Sequence, residues 1–191
     1  MIAQQDVRRT ALARDLGENR TESLAAKRDA LAAAGLAVRW HMIGHLQTNK
    51  VRRTLPLIDV LHSLDRRSLM EALAAELARA DGPRLPAFIQ VNVAGETSKG
   101  GFDETGLWEA LSAARSIPRL EVRGLMTMAP VCEDPEDARP VLRRLRELRD
   151  EARLRGYLLE LDLSMGMSQD FEIAVEEGAT HVRVGTILYT G

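Results

Sequence analysis

Several things are scarce in this 191-residue sequence. Cys132 is its one cysteine, so no internal disulfide forms and no multi-thiolate metal cluster can be built within a chain. No apolar run approaches the ~20 residues needed to cross a bilayer, and Met1 to Asp15 is polar and charged, unlike a signal peptide. A cytoplasmic address and no membrane partner are expected. Neither sign of charge dominates: 28 acidic and 26 basic residues leave a formal charge of -2, which offers no global field for nucleic acid. Lysine is the sparest functional group. Lys27, Lys50 and Lys99 are the only ones, and the other 23 of the 26 basic residues are arginines.

What remains is ordinary globular material, 45% hydrophobic and 28% charged. No Ser/Gly-rich linker, charge block or repeat divides the chain, so one domain over residues 1–191 is expected. Strand-like apolar runs alternate with helical stretches, the pattern of a parallel α/β protein. The strand candidates are Trp40 to Ile43, Ile58 to His62, Ala87 to Val93, Glu121 to Thr127, Leu158 to Leu163 and His181 to Val184, with a weaker one at Leu16 to Glu18. Between them, Leu69, Leu73 and Leu77 repeat at helical spacing after a cap candidate at Asp65, and Leu107, Ala110, Leu111 and Ala114 form a second stripe. Asp134-Pro135 reads as a helix start, with Val141, Leu145, Leu148 and Ala152 on the face that follows. The arginines at 143, 144, 146 and 149 fall mostly off that stripe and read as a solvated face. An open doubly wound sheet or a closed barrel would both suit. The G-x-G-x-x-G of a dinucleotide-binding first turn is absent.

The C-terminal quarter carries the densest signal. Leu161 to Ser168 runs from a strand through a glycine turn toward a helix with Phe171, Ala174 and Val175, and Ser168 stands where an N-cap would. The last strand ends at Gly185-Thr186. In a (β/α)8 barrel a phosphate site is commonly built there, from free backbone N–H groups, a helix start and glycine that lets the backbone approach. Ordinary capping would leave the same trace. Strand alternation puts His181, Arg183 and Gly185 on one face, so Arg183 meets either a carboxylate of the fold or a ligand's ring nitrogen or phosphate.

Trp40 to Lys50 is the second dense segment. Its His41 and His45 have HxxxH spacing, but Gly44 disfavours the helix that would align them and no glutamate intervenes, so no metal is expected. Gly95 to Gly101 lacks the order of a nucleotide-binding P-loop, because Lys99 precedes its glycines. Ser164 and Ser168 lack the G-x-S-x-G elbow of a hydrolase nucleophile.

Taken in order, Gly17-Glu18-Asn19, His41 to Lys50, Gly124 to Met128, Leu163 to Ser168 and Arg183 to Thr186 closely resemble the pyridoxal-phosphate homeostasis proteins, relatives of the alanine racemase N-terminal domain. The resemblance implies a TIM-type (β/α)8 barrel of fold type III that binds pyridoxal 5'-phosphate (PLP) at its C-terminal mouth. It also implies the site: Ser168 with Gly185 and Thr186 on the phosphate, Arg183 at the pyridine nitrogen, and Asn19, His41, Met126 and Ser164 lining the pocket. An arginine at that nitrogen discourages its protonation and makes the cofactor a weaker electron sink.

One departure accompanies the match. Family members carry a strand before the Gly-Glu-Asn segment whose lysine forms the Schiff base, and no lysine precedes Gly17 here. The chain reads as N-terminally short, with strand 1 of the barrel missing or disrupted and PLP held noncovalently or not at all. Lys99 is the best-placed substitute lysine. The expected function is a noncatalytic PLP carrier in vitamin B6 and amino-acid homeostasis, with PLP-dependent apoenzymes as recipients and a monomeric or weakly self-associating chain. The alternatives are a racemase-like PLP enzyme, for which Tyr157 and Tyr189 are no evident second base, and a plain phosphometabolite-binding barrel.

Overall fold

The structure is a computed structural model and describes residues 14–79, 81–96, 99–157 and 162–188. Seven strands run through it: β1 Asp15–Glu18, β2 Arg39–Met42, β3 Val60–Leu64, β4 Leu85–Gln90, β5 Leu120–Met126, β6 Asp162–Met167 and β7 His181–Arg183. They form one sheet in the order β1-β2-β3-β4-β5-β6-β7, with every neighbouring pair parallel. Parallel neighbours need a crossover, and helices supply it. These are α1 Thr21–Ala33, α2 Val51–Thr54, α3 Arg67–Leu77, α4 Glu104–Ala114, α5 Arg139–Leu154 and α6 Phe171–Glu176. The sheet curls until its two ends face each other: the rings of His41 on β2 and His181 on β7 lie 6.3 Å apart. The result is a nearly closed barrel, as expected, with seven described strands where the full fold has eight. The expected loss of strand 1 concerns residues 1–13, outside those described.

The helices bury the stripes that their spacing announces. Leu69, Leu73 and Leu77 of α3 are at most 5% exposed, and Leu107, Ala110, Leu111 and Ala114 of α4 at most 3%. Each leucine so buried contributes about 2 kcal/mol of transfer free energy. On α5 three of the four expected residues, Leu145, Leu148 and Ala152, are fully buried; the fourth buried position is Leu142, with the expected Val141 only partly buried beside it. Pro135 to Ala138 form a tight 3-10 turn before the α-helix begins. Asp134 caps that turn by accepting from the Glu136 N–H, and Asp103 caps α4 by accepting from Gly106. Asp65 does not cap α3; its carboxylate is taken by His45 and Arg66 instead.

The sheet has two faces of different character. Outward-facing Leu16, Trp40, Met42, Leu61, Ala87, Ile89, Leu125, Leu163 and Met165 join the helices in one large core. Inside the barrel, a small apolar cluster of Val60, Phe88 and Met126 gives way to histidines, a serine and an arginine. β6 extends to Met167, past the expected end at Leu163, and the expected residues 158–161 lie outside those described. Gly166 hides the strand from a sequence reading. At φ +92° it lies so close to α6 that an added Cβ would stand 2.5 Å from the Ala174 Cβ.

Candidate functional site

The ends of β1, β6 and β7 open onto a cavity of about 520 Å3 lined by Asn19, Ile43, Met128, Met167, Ser168, Gln169, Arg183, Gly185, Thr186 and Ile187. Five of the eight residues expected from the sequence therefore meet in one place: Asn19, Ser168, Arg183, Gly185 and Thr186. Backbone contact holds the Asn19 corner in place. Gly44 approaches so closely that a Cβ there would stand 2.2 Å from the Asn19 carbonyl oxygen, and the Ile43 N–H donates to the Glu18 carbonyl at 3.0 Å. Beneath it the Glu18 carboxylate is buried. Burial pushes its pKa up, but the ammonium of Lys27 and the Arg20 N–H outweigh this and leave it below the usual range.

Ser168 does not cap α6, where Asp170 occupies the N-cap position. Its Oγ accepts instead from the N–H of Gly185 at 3.1 Å and of Ile187 at 3.5 Å. The Oγ thus marks the point where two backbone donors converge, and its own proton remains available to a third group. These donors belong to the loop and short 3-10 turn Thr186–Leu188 that follow β7. An oxyanion beside Ser168 could accept that proton.

Arg183 stands between this cavity and a second one, of about 450 Å3, which is lined by Asp15, Gly17, Arg39, His41, His62 and His181 among others. Its guanidinium donates to Ser164 Oγ and to the Thr127 carbonyl, both at 2.8 Å. Among the described residues it makes no ion pair with a carboxylate, and burial pulls its pKa down to about 10. Of the remaining expected residues, His41 lines the second cavity, while Ser164 and Met126 are fully buried and line neither. Buried His62 and the exposed Asp15 at the end of β1 carry polar contacts with His41 that the sequence pattern does not by itself reveal. The signal was available, as a histidine in an apolar strand next to Ser63, but a strand end accommodates one equally well.

His41 and His45 serve separate networks: His41 reaches Asp15 and His62, and His45 reaches the buried carboxylate of Asp65 at 2.7 Å. All three lysines are engaged with glutamates. Lys27 pairs with Glu18, Lys50 with Glu22, and Lys99 with Glu96 at 3.1 Å while also donating to the Ala129 carbonyl. None of the three lines the cavity between β1, β6 and β7. Tyr157 packs against Trp108 at 6.2 Å on the helical shell, and Tyr189 lies outside the described residues.

Comparison with known proteins adds the lineage. Residues 4–191 match the profile of the family described as alanine racemase, N-terminal domain. The chain is 45% identical over 174 residues to the pyridoxal phosphate homeostasis protein of Aquifex aeolicus, covering 91% of this chain and 75% of that one. It is 40% identical over 181 residues to the protein of that name from Pseudomonas aeruginosa, covering 92% and 74%. Among solved structures, PipY of Synechococcus elongatus with PLP bound superposes with a TM-score of 0.80 at 32% identity, covering 91% of this chain and 80% of that one. Alanine racemase of Corynebacterium glutamicum, 18% identical with a TM-score of 0.65 over 91% of this chain and 46% of its own, shares the fold. With a barrel of this topology and these matches, the chain belongs to the pyridoxal phosphate homeostasis proteins of the alanine racemase N-terminal domain family.

Proposed function

We propose that this chain binds PLP noncovalently in the cavity between the ends of β1, β6 and β7, as a noncatalytic carrier in vitamin B6 homeostasis. The observation that carries the reading is the convergence of the Gly185 and Ile187 N–H groups on Ser168 Oγ, beside an arginine that makes no ion pair among the described residues, in one cavity of about 520 Å3. That volume lies in the range of cofactor pockets. The group fits the donors present. A phosphate would lie beside Ser168, whose hydroxyl can donate to it, with Gly185 and Thr186 at the rim. Arg183 would face the ring nitrogen; as a permanent donor it would favour the unprotonated pyridine.

PLP supplies an aldehyde and an electron-withdrawing ring. The chain's part is to hold and orient it. Each lysine is paired with a glutamate and none of the three lines the cavity, which favours binding without a covalent link. PLP-dependent apoenzymes in the cytoplasm are the recipients under this reading, and the carrier is monomeric or weakly self-associating.

Titration with PLP, followed by its visible absorbance, tests the reading. A saturable spectral change is expected, with release of the cofactor on denaturation. Thermal stabilisation by inorganic phosphate with no spectral response to PLP would overturn it in favour of a phosphometabolite site.

A further inference from the structure

Three of the four histidines, His41, His62 and His181, meet inside the barrel. Two of them belong to one continuous hydrogen-bonded chain. Arg183 Nη1 lies 2.8 Å from Ser164 Oγ, Ser164 Oγ 2.7 Å from His62 Nδ1, His62 Nε2 2.8 Å from His41 Nδ1, and His41 Nε2 2.9 Å from Asp15 Oδ1. The chain crosses the interior from β7 through β6, β3 and β2 to β1. The third histidine stands beside it, with its Nδ1 at 2.9 Å from Thr180 Oγ1.

The two ends of the chain decide everything between them. A guanidinium only donates and a carboxylate only accepts. Asp15 therefore requires a proton on His41 Nε2. His41 is neutral, held below its ordinary pKa by burial against the opposing pull of Asp15, so its Nδ1 is a bare acceptor. That acceptor requires the proton of His62 on Nε2. His62 is neutral too, with burial and the nearby His41 and Arg183 lowering its pKa to about 2, so its Nδ1 accepts. The Ser164 hydroxyl must then donate to His62, and its lone pairs receive Arg183. With neutral rings and Asp15 as the accepting end, no other assignment satisfies all four contacts.

We propose that His62 and His41 are positioning residues for Arg183: a one-way donor chain, Arg183 to Ser164 to His62 to His41 to Asp15, turns the Ser164 proton away from the guanidinium. Ser164 Oγ and the Thr127 carbonyl then present only lone pairs to Arg183, at 2.8 Å each, and fix the plane of its guanidinium. The remaining N–H bonds are left for a ligand. The effect on PLP rests on the function proposed above; the donor chain itself does not.

Long-range proton–nitrogen correlation spectra of the uniformly labelled protein at neutral pH report each imidazole's tautomer. Neutral rings protonated at Nε2 are expected for both His41 and His62. A charged ring, or a proton on Nδ1 of either, overturns the chain. The link to the ligand is read by equilibrium dialysis of PLP against two variants. H62F keeps a ring stacked on Phe88, 4.5 Å away in the native structure, but carries no donor or acceptor. H62Q loses the ring and keeps one of each. Binding about tenfold weaker in H62F, with most of the loss recovered in H62Q, is expected for one displaced hydrogen bond to a charged group. Equal affinities, or the opposite order that a packing role would give, overturn the positioning role. Should neither variant fold, the spectra of the native chain decide. If the native chain itself fails to bind PLP, the function falls while the spectra still judge the donor chain.

Discussion

Ser168 Oγ accepts the Gly185 N–H at 3.1 Å, and by that contact the loop after β7 is tied to the end of β6. Replacing Ser168 by alanine removes the tie and the one hydroxyl that donates at the point where the backbone N–H groups converge. We expect S168A to bind PLP about tenfold more weakly, near 1.4 kcal/mol, with little change in fold stability. Equilibrium dialysis measures the first and urea denaturation the second. Unchanged affinity would move the phosphate elsewhere.

Acid should weaken this fold earlier than its carboxylates alone would. His62 binds a proton near pH 6.5 when unfolded but only near pH 2 when folded, so its contribution is present above the unfolded value and is lost as pH falls. His41 and His181 are shifted the same way, burial being the main cause in each. Unfolding free energy should therefore fall between pH 6.5 and 4.5, with His62 contributing up to about 1.4 kcal/mol per pH unit. Urea midpoints across that window give the slope, and the H62F variant should flatten it by about one proton. A slope of zero in the native chain contradicts neutral interior histidines.

Gly44→Ala tests the close approach that fixes the cavity's first corner. An added methyl would meet the Asn19 carbonyl at 2.2 Å, and that oxygen belongs to backbone pinned to β1, so the strain cannot be relieved by a side chain turning away. A loss of about 2 kcal/mol is expected, with PLP affinity falling alongside it. The contrasting substitution is Gly35→Ala, where nothing lies within 4 Å; its φ of +72° adds backbone strain but leaves the cavity untouched. Equal PLP affinity in the two variants would separate the glycine from the site.

Borohydride reduction in the presence of PLP, followed by peptide mapping, should yield no stoichiometric adduct on Lys27, Lys50 or Lys99. Each is paired with a glutamate, and none lines the cavity between β1, β6 and β7. A full adduct on any of the three in the native chain would make the binding covalent.

Much of this was legible in the order of residues. Alternating apolar runs placed all seven strands to within a few residues, and the stripe over Leu107 to Ala114 was read correctly because a helix face has one period and one buried side. The end of β6 was missed because Gly166 and Ser164 are poor strand formers that the barrel nonetheless accepts, the one for its left-handed backbone and the other for its hydroxyl. Ser168 does not cap α6: a serine before a helix looks like a cap in sequence whether it caps that helix or a loop that folds back from β7. His62 was not assigned because its partners, His41 and Ser164, are 21 and 102 residues away along the chain. Spacing along a sequence carries no trace of such contacts until the sheet has curled.

Each strand of this sheet pairs with its neighbour in the chain, so every rung can be added in the order in which the polypeptide leaves the ribosome. The cavity is the exception. Asn19 belongs to the first described strand's end and Arg183, Gly185 and Thr186 to the last, and they become neighbours only when the curl is complete. A ligand gripped by both sides would clasp the two ends of the sheet together, and slowed hydrogen exchange in β1 and β7 on its addition is the expected signature.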